Sequence, residues 1–413
     1  MRRLGILACV CMLASPAVAE EASHPFNVRD LVTMGRLSDP QVSPDGDTVV
    51  FVRRTADLEA DRGRTDLWAV GVDGSAMRQL TTHEASDFNP RWSADGGSVF
   101  FLSTRSGSSQ VWKIPLAGGE AQQVSDLALD VGNLVVSPDG RHLAFSLEVF
   151  PDCVAGAAGE GEHGEGEHGE GEHGSGRHDG GDDPEGGHAI VTCTKERLTE
   201  REGVKTTGRV YERMFVRHWD TWKDGRRSHL FVMSARSEHA EHLHHVTPGL
   251  DADVPTKPWG GTEEIAFTPD GHGLVFVARV AGASEPWSTD FDLWHAPLHG
   301  TAEPRCLTEA NQAWDTVPAF SPDGKILAYL AMKRPGFEAD RFRIVLRDWP
   351  DGEARVLTEQ WDRSPGGIGF SPDGKTIYAT AGDIGEVKLW AIDVATGEAR
   401  VLVGGGHVRS PAV

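Results

Sequence analysis

Positive charge is scarce in this sequence, and so are long apolar runs. The 413 residues contain 40 Lys and Arg against 62 Asp and Glu, which gives a formal net charge of −22 at pH 7. Nucleic-acid binding relies on clustered Lys and Arg that neutralise phosphates, so we expect no nucleic-acid partner. Beyond the first 19 residues no stretch is long and apolar enough for a membrane-spanning helix, so we also expect no membrane span.

Sequence motifs of catalysis and cofactor binding are missing as well. The chain has no G-x-S-x-G nucleophile elbow, no Walker loop, no H-E-x-x-H helix and no dinucleotide fingerprint. Ser, His and Asp are plentiful, but no pattern marks a triad. We therefore name no catalytic residue, expect no cofactor, and predict that no complete active site lies within this chain.

The first residues are typical of a secretory signal. Arg2 and Arg3 form a charged end, residues 4–14 a short apolar core, and residues 17–19 a small-residue cleavage site. We predict a signal peptide over residues 1–19 and an exported protein, periplasmic or secreted. Lipoprotein processing at Cys9 is the less favoured alternative, because the apolar run before it is very short.

Cysteine is rare, with five residues in the whole chain. Two of them leave with the signal peptide, so Cys153, Cys193 and Cys306 can form at most one internal disulfide. We predict that Cys153 pairs with Cys193 in an oxidising compartment, where the bond would staple the base of the insert between them. Cys306 is interpreted as a small buried apolar residue rather than a reactive thiol.

A four-residue turn motif recurs along the chain. Ser-Pro-Asp-Gly occurs four times and a near copy twice, and an apolar, β-branched run follows each copy. Pro presets φ for a type I turn, Asp caps the turn, and Gly tolerates positive φ, so each copy predicts a β-hairpin tip. The six copies are residues 43–46, 93–96, 137–140, 268–271, 321–324 and 371–374.

The spacing of these turns predicts the fold. The turn aspartates are separated by 50, 44, 131, 53 and 50 residues, and a period of about 45–50 with four strands per unit is typical of propeller blades. We therefore predict an all-β fold, a β-propeller of four-stranded antiparallel blades, rather than a sandwich with coincidental turns. Six blades are recognisable in residues 20–413. Residues 411–413 match the start of a seventh, so we expect an incomplete propeller and a fragment of a longer protein.

The long interval contains an insert within the third blade. Residues 153–193 include a Gly/Glu/His-rich near-repeat that cannot bury a core, so we predict disorder there. Imidazole binds Zn, Ni or Cu, but a spacing of five in a Gly-rich segment preorganises no site, and a solvated loop is favoured. The weak metal candidates are His163, His168, His173 and His178.

Residues 194–227 combine aromatic and charged side chains and are predicted to form an ordered arm that leaves the blade. Two interpretations stay open. The aromatic residues pack the arm onto the propeller while its charges are solvated, or they line a cleft that recognises a peptide. The candidate cleft residues are Arg217, His218, Trp219, Asp220 and Trp222.

Three stretches resemble the N-terminal part of prolyl-oligopeptidase-family serine peptidases, especially bacterial dipeptidyl-peptidase V and acylaminoacyl-peptidase-like members. They are residues 30–46, the Cys-flanked segment 150–153 resumed at 193–195, and residues 214–232. The resemblance implies a propeller that gates an α/β-hydrolase domain carrying Ser, Asp and His, with short peptides as substrates.

That catalytic domain is absent from this sequence, so no catalytic residue is carried over and the oligomeric state stays open. The alternative is a TolB-like periplasmic interaction propeller without enzymatic activity, because such propellers share the same turns.

Overall fold

The computed structural model describes residues 24–153, 186–211, 213–236, 242–298, 302–409 and 411. Within these ranges 24 strands form six four-stranded antiparallel sheets, and two more form a small hairpin. The sheets are the blades of a propeller whose ring is not closed, which confirms the predicted fold class. Of residues 411–413, which were expected to begin a seventh blade, 412 and 413 lie outside the described residues.

Each blade is a meander in which sequence neighbours pair, and only blade 3 is interrupted, by an insert between its second and third strands. The strands of blades 1 and 2 are β1 (Arg36–Val42), β2 (Thr48–Asp57), β3 (Arg62–Gly71), β4 (Arg78–Gln79), β5 (Asp87–Trp92), β6 (Ser98–Ser103), β7 (Gln110–Pro115) and β8 (Gln122–Gln123). Blade 3 and its insert contain β9 (Gly132–Val136), β10 (His142–Val149), the insert strands β11 (Arg217–His218) and β12 (Thr221–Trp222), then β13 (Arg227–Ser234) and β14 (His244–His245).

The remaining three blades are uninterrupted meanders. Their strands are β15 (Ile265–Phe267), β16 (Gly273–Ala278), β17 (Asp292–Pro297), β18 (Arg305–Cys306), β19 (Asp315–Phe320), β20 (Ile326–Ala331), β21 (Arg343–Asp348), β22 (Ala354–Val356), β23 (Pro365–Phe370), β24 (Thr376–Asp383), β25 (Glu386–Asp393) and β26 (Ala399–Val403). The helices are α1 (Val28–Thr33) and α2 (Gly187–Glu202), with 3-10 turns at Thr262–Glu264 and Gly282–Ser284.

The recurrent turns connect the first and second strands of every blade through one set of hydrogen bonds. In the copy at 321–324, the Ser321 hydroxyl donates to Asp323 Oδ1 at 2.7 Å and accepts the Ile326 N–H at 3.0 Å. This hydroxyl lowers the pKa of Asp323 and so keeps the turn carboxylate ionised. Gly324 has φ +69°, a conformation that L side chains rarely adopt.

Neighbouring turns also pack against each other. A Cβ placed on Gly324 would lie 2.6 Å from Pro269 Cβ of the preceding blade, and one on Gly140 would lie 2.7 Å from Ala94 Cβ. Glycine is therefore needed for close packing as well as for its backbone conformation. We call the face that carries these six turns the turn face.

The core lies between adjacent blades rather than on the propeller axis. Side chains of alternate strand residues form apolar clusters at each interface, such as Val50 and Val52 of blade 1 with Phe101 of blade 2. Burying one such Phe stabilises the fold by about 2–3 kcal/mol relative to leaving it exposed. Phe145, Phe231 and Phe276 are fully buried in the same way.

Helix α2 crosses the predicted boundary between insert and arm. The expectation of disorder is corrected for residues 187–193, which are helical. Their order has a packing cause, because Ile190 and Val191 are buried against the core of blades 2 and 3. The guanidinium carbons of Arg197 and Arg201 lie over the Phe150 ring, 4.7 and 4.4 Å from its centre.

The structure contains the disulfide between Cys153 and Cys193, which joins the end of β10 to α2. The four His candidates at 163, 168, 173 and 178, like the signal segment 1–19, lie outside the described residues. In the part of the chain that the structure describes, no helix is long and apolar enough to cross a membrane.

Candidate functional site

In a four-stranded meander, the loop between the second and third strands emerges opposite the turn that joins the first and second strands. The connection from one blade to the next emerges on that same side. We call this side the arm face. Three of its segments meet beside blade 3, namely the arm, the connection 251–264 from blade 3 to blade 4, and the loop 279–291 between β16 and β17.

The five candidate cleft residues all belong to one hairpin at the end of the arm. Strand β11 pairs with β12, with Arg217 opposite Trp222, and Trp219 and Asp220 form the tip. Trp219 adopts φ +47°, and its carbonyl oxygen accepts a hydrogen bond from Arg217. A left-handed conformation costs a non-glycine residue about 1–2 kcal/mol, so this tip is held in place by its surroundings.

A row of aromatic rings connects the hairpin to the neighbouring segment 251–264. The ring centres of Trp219 and Trp259 are 4.9 Å apart, edge to face, and His218 lies 4.6 Å from Trp219. Phe215 stacks on His218 at 5.3 Å. Trp219 is 61% exposed and Trp259 is 67% exposed. These four residues are called the aromatic row. Its two indoles contact each other and leave most of their surface open to a partner.

The end of the arm is fixed by a buried group of charges. Glu285, from the loop of blade 4, accepts hydrogen bonds from Arg227 at 2.8 and 2.9 Å and from Lys223 at 2.9 Å. Asp253 accepts from the same Arg227 at 3.0 Å and lies 3.5 Å from Lys223. Both acids are 7% exposed. Lys223, Arg227, Asp253 and Glu285 are called the charge network.

Each member of the charge network whose pKa shift is resolved is held in its charged form. Burial opposes the charge of Arg227, but its hydrogen bond to Glu285 and the charge of Asp253 outweigh that cost and raise its pKa. Burial likewise raises the pKa of Glu285 and of Asp253, and the nearby cations more than reverse it, so both pKa values are lowered. Removing one member would leave the remaining buried charges only partly compensated.

Further ion pairs connect the arm to segment 251–264, and that segment to β10. Arg213, near the start of the hairpin segment, contacts Asp251 at 3.0 Å, and Arg227 reaches the same carboxylate at 3.1 Å. Lys257 lies 3.4 Å from Asp253 and 2.6 Å from Glu148 of β10. The arm is therefore tied at two points to the segment that carries Trp259.

The segment 251–264 is closed on itself by Glu264. The Glu264 carboxylate accepts from the Thr256 backbone N–H at 2.7 Å and from the Thr256 hydroxyl at 2.9 Å. Burial raises the pKa of Glu264 to about 7. Because these hydrogen bonds close the loop, the backbone that carries Trp259 is held in a fixed position.

Sequence reasoning predicted an ordered arm and named five residues of this hairpin, but it did not predict the hairpin itself and missed Trp259, Glu285 and Asp253. A signal for Trp259 was available, since a Trp between Pro258 and Gly260 lies in a turn-forming stretch that cannot bury it well. Glu285 and Asp253 had no comparable signal. No cluster of three or more His, Cys, Asp or Glu that could hold a metal ion occurs among the described residues.

The chain is similar in sequence to a known domain model and to named peptidases. Residues 28–149 match the family model described as PD40, TolB beta propeller domain. Dipeptidyl-peptidase 5 of Porphyromonas gingivalis is 27% identical over 95% of this chain and 51% of its own length. That of Porphyromonas endodontalis is 27% identical over 80% of this chain and 42% of its own length. The chain thus spans about half the length of the curated relatives it matches.

Solved structures show the same fold. Acylaminoacyl peptidase of Pyrococcus horikoshii superposes with a TM-score of 0.57 at 15% identity, covering 91% of this chain and 47% of its own. The β-propeller domain of the Trilobed protease of Pyrococcus furiosus gives 0.53 at 14% identity, covering 90% and 84%. The chain is therefore a β-propeller that is similar in sequence to the PD40 model over residues 28–149 and to the dipeptidyl-peptidase 5 proteins, in agreement with the expected resemblance to the propellers of that peptidase family.

Proposed function

We propose that this chain is the substrate-gating and docking propeller of an exported serine peptidase that acts on short peptides. In this proposal the arm face lies against an α/β-hydrolase domain, and the hairpin at 217–222 lines the route by which peptides reach the active site. The relatives named dipeptidyl-peptidase 5 are about twice as long as the matched region, which leaves room for such a domain in them.

The observation that supports the proposal is that the hairpin exposes its aromatic side chains while the buried charge network holds the chain next to it in place. A hairpin that served only to pack the arm would bury its indoles, whereas Trp219 and Trp259 expose most of theirs. The left-handed backbone at the tip, and the buried Glu285 that binds Lys223 and Arg227 just after the hairpin, indicate that the hairpin is held in a defined position. Functional residues on loops held by a rigid scaffold are the usual arrangement for recognition.

The experiment begins with the coding DNA beyond the codon of Val413. If it encodes the rest of this propeller and a G-x-S-x-G segment, the continuous product should release p-nitroaniline from dipeptidyl substrates. The 413-residue chain alone should not. Trp219→Ala in the continuous product should lower kcat/KM at an unchanged melting temperature. Turnover by the purified 413-residue chain would contradict the proposal. Recovery of a chain beginning at Glu20 from the extracytoplasmic fraction would test export.

One observation favours the second candidate, a TolB-like interaction propeller without enzymatic activity. The matched family model is described as a TolB beta propeller domain. For this candidate, the coding DNA should end soon after the closing blade, and no hydrolase segment should follow. The same sequencing experiment therefore decides between the two.

A further inference from the structure

The arm carries positive charge on a protein that is otherwise strongly acidic. Residues 203–223 contain five Lys or Arg against two acids, in a chain with a net charge of −22. Lys205, Arg209 and Arg217 are exposed, and no salt bridge joins any of the three to an acid within the described ranges. This local excess of cations is available to a partner of the opposite charge.

Apolar side chains are exposed along the same segment. Val204, Val210, Met214 and Trp222 are each more than half exposed, in addition to Trp219. Soluble proteins rarely leave contiguous apolar groups open unless a partner covers them. Cationic and apolar groups therefore alternate along one surface stretch that ends in the aromatic row.

We propose that this stretch, residues 205–211 and 213–222 together with Trp259, is a binding surface for acidic peptides that also carry aromatic or large apolar side chains. Charge complementarity selects the occupant, since peptide carboxylates would pair with Lys205, Arg209 and Arg217. The faces of Trp219 and Trp259 would take the apolar side chains. The inference rests on the proposed function and specifies its substrate class.

A second copy of this chain fits the surface less well. Its net charge of −22 favours attraction to the basic stretch, but the same charge on both copies opposes their approach as whole molecules. A short acidic peptide carries the attraction without that repulsion, which is why a peptide is the occupant we assign.

The test uses the full 413-residue chain and fluorescence anisotropy of a labelled octapeptide of alternating Glu and Phe. Two matched peptides replace Glu by Lys or Phe by Ser. The Glu/Phe peptide should bind, the Lys/Phe peptide should not, and the Glu/Ser peptide should bind about tenfold more weakly. Raising the salt concentration from about 50 mM to about 500 mM should weaken the Glu/Phe complex, because salt screens the attraction between exposed charges.

Variants locate the surface. Arg217→Glu and Arg209→Glu should each raise Kd by about fivefold, and Arg217→Lys should leave Kd within about twofold. Trp219→Ala should raise Kd by about tenfold. The control is Arg141→Glu, which makes the same charge change at an exposed arginine on the turn face and should leave Kd unchanged.

Several results would overturn the inference. They are equal binding of the Lys/Phe peptide, an equal loss in Arg141→Glu, or self-association of the chain that Arg217→Glu abolishes, which would make a second copy the occupant. Binding needs no catalysis by this chain, so a failure here leaves the peptidase proposal to be decided by the activity of the continuous product.

Discussion

On the turn face, six connections use the same four-residue turn and the same hydrogen bonds, and each turn packs against its neighbour. On the arm face, the corresponding connection is residues 104–109 in blade 2 but residues 150–226 in blade 3. The turn face repeats one type of connection, whereas the arm-face connections differ in length from blade to blade and are longest in blade 3. The proposed recognition surface lies at this longest connection.

The charged side chains on the two faces also differ in whether their partners are close in sequence. Turn aspartates are satisfied by a Ser or Thr hydroxyl two residues earlier, so their interactions are local. The charge network instead joins side chains from two blades, with Glu285 and Arg227 far apart in sequence. A local contact survives most changes elsewhere, whereas a network between blades fails as a unit.

The largest effect expected is on the arm face, from Glu285→Ala. This change removes the carboxylate that accepts from both Arg227 and Lys223 and leaves Asp253 as the remaining acid of the network, and it should lower the free energy of unfolding by about 3 kcal/mol. Urea unfolding followed by circular dichroism measures it. The control is Asp351→Ala, which breaks the exposed pair with Arg305 and should cost less than about 1 kcal/mol. Equal losses in the two variants would mean that the network is not a stabilising unit.

On the turn face, two glycine substitutions separate backbone strain from packing between turns. Gly46 has φ +81°, and apart from its chain neighbours nothing lies within 4 Å of the position that a Cβ would take, so Gly46→Ala should cost about 1 kcal/mol. Gly324→Ala carries the same conformational cost and also meets Pro269 Cβ at 2.6 Å, so it should cost about 2 kcal/mol. The difference in urea midpoint between the variants measures the contact between turns. If the midpoints agree, the turns do not stabilise one another.

A third prediction compares two repeats at their arm-face ends. Asp87 begins the first strand of blade 2 and pairs with Arg105 at 2.7 Å, whereas Asp315 begins the first strand of blade 5, is 1% exposed, and leaves Oδ2 without a hydrogen-bond partner in the described part of the chain. Burial raises the pKa of Asp315 to about 8. The pKa of Asp315 is therefore higher in the folded than in the unfolded protein. The contribution of its protonated form to the free energy of unfolding is complete below about pH 4 and is lost as the pH rises toward 8.

Asp315→Asn should therefore stabilise the protein by about 1–2 kcal/mol at pH 9 and change little at about pH 4, because the amide oxygen still accepts from Asn311. The matched change Asp87→Asn should destabilise at both pH values, since it removes the anion from Arg105. Urea unfolding at the two pH values measures both variants. A loss of stability at pH 9 in Asp315→Asn would contradict the assignment of a buried, uncompensated acid.

The same contrast explains what could be predicted from the sequence. The turns and blades were predictable because Pro, Asp and Gly specify a hairpin tip within four residues, as at 321–324. The arm was recognised by its aromatic and charged composition, but its hairpin and its partners were not. Glu285 belongs to another blade, so its pairing with Arg227 depends on how the two blades pack together. Helix α2 was missed in part because Ile190 and Val191 follow a Gly-rich run that obscures a short buried face.

The smallest effect on stability is expected at the tip of the arm, where it decides between the two interpretations of the hairpin. Trp219 is 61% exposed, so Trp219→Ala should change the free energy of unfolding by less than about 1 kcal/mol. The control is Trp92→Ala, which removes a Trp that is 9% exposed and donates to the Gln41 carbonyl at 2.9 Å, and it should cost about 3–5 kcal/mol. Thermal unfolding of both variants compares them directly. If Trp219→Ala lowers the melting temperature as far as Trp92→Ala does, the aromatic row packs the arm and does not serve recognition. A normal melting temperature together with weaker binding of the Glu/Phe peptide would instead assign the indole to a partner, because only a surface group can lose affinity without losing stability.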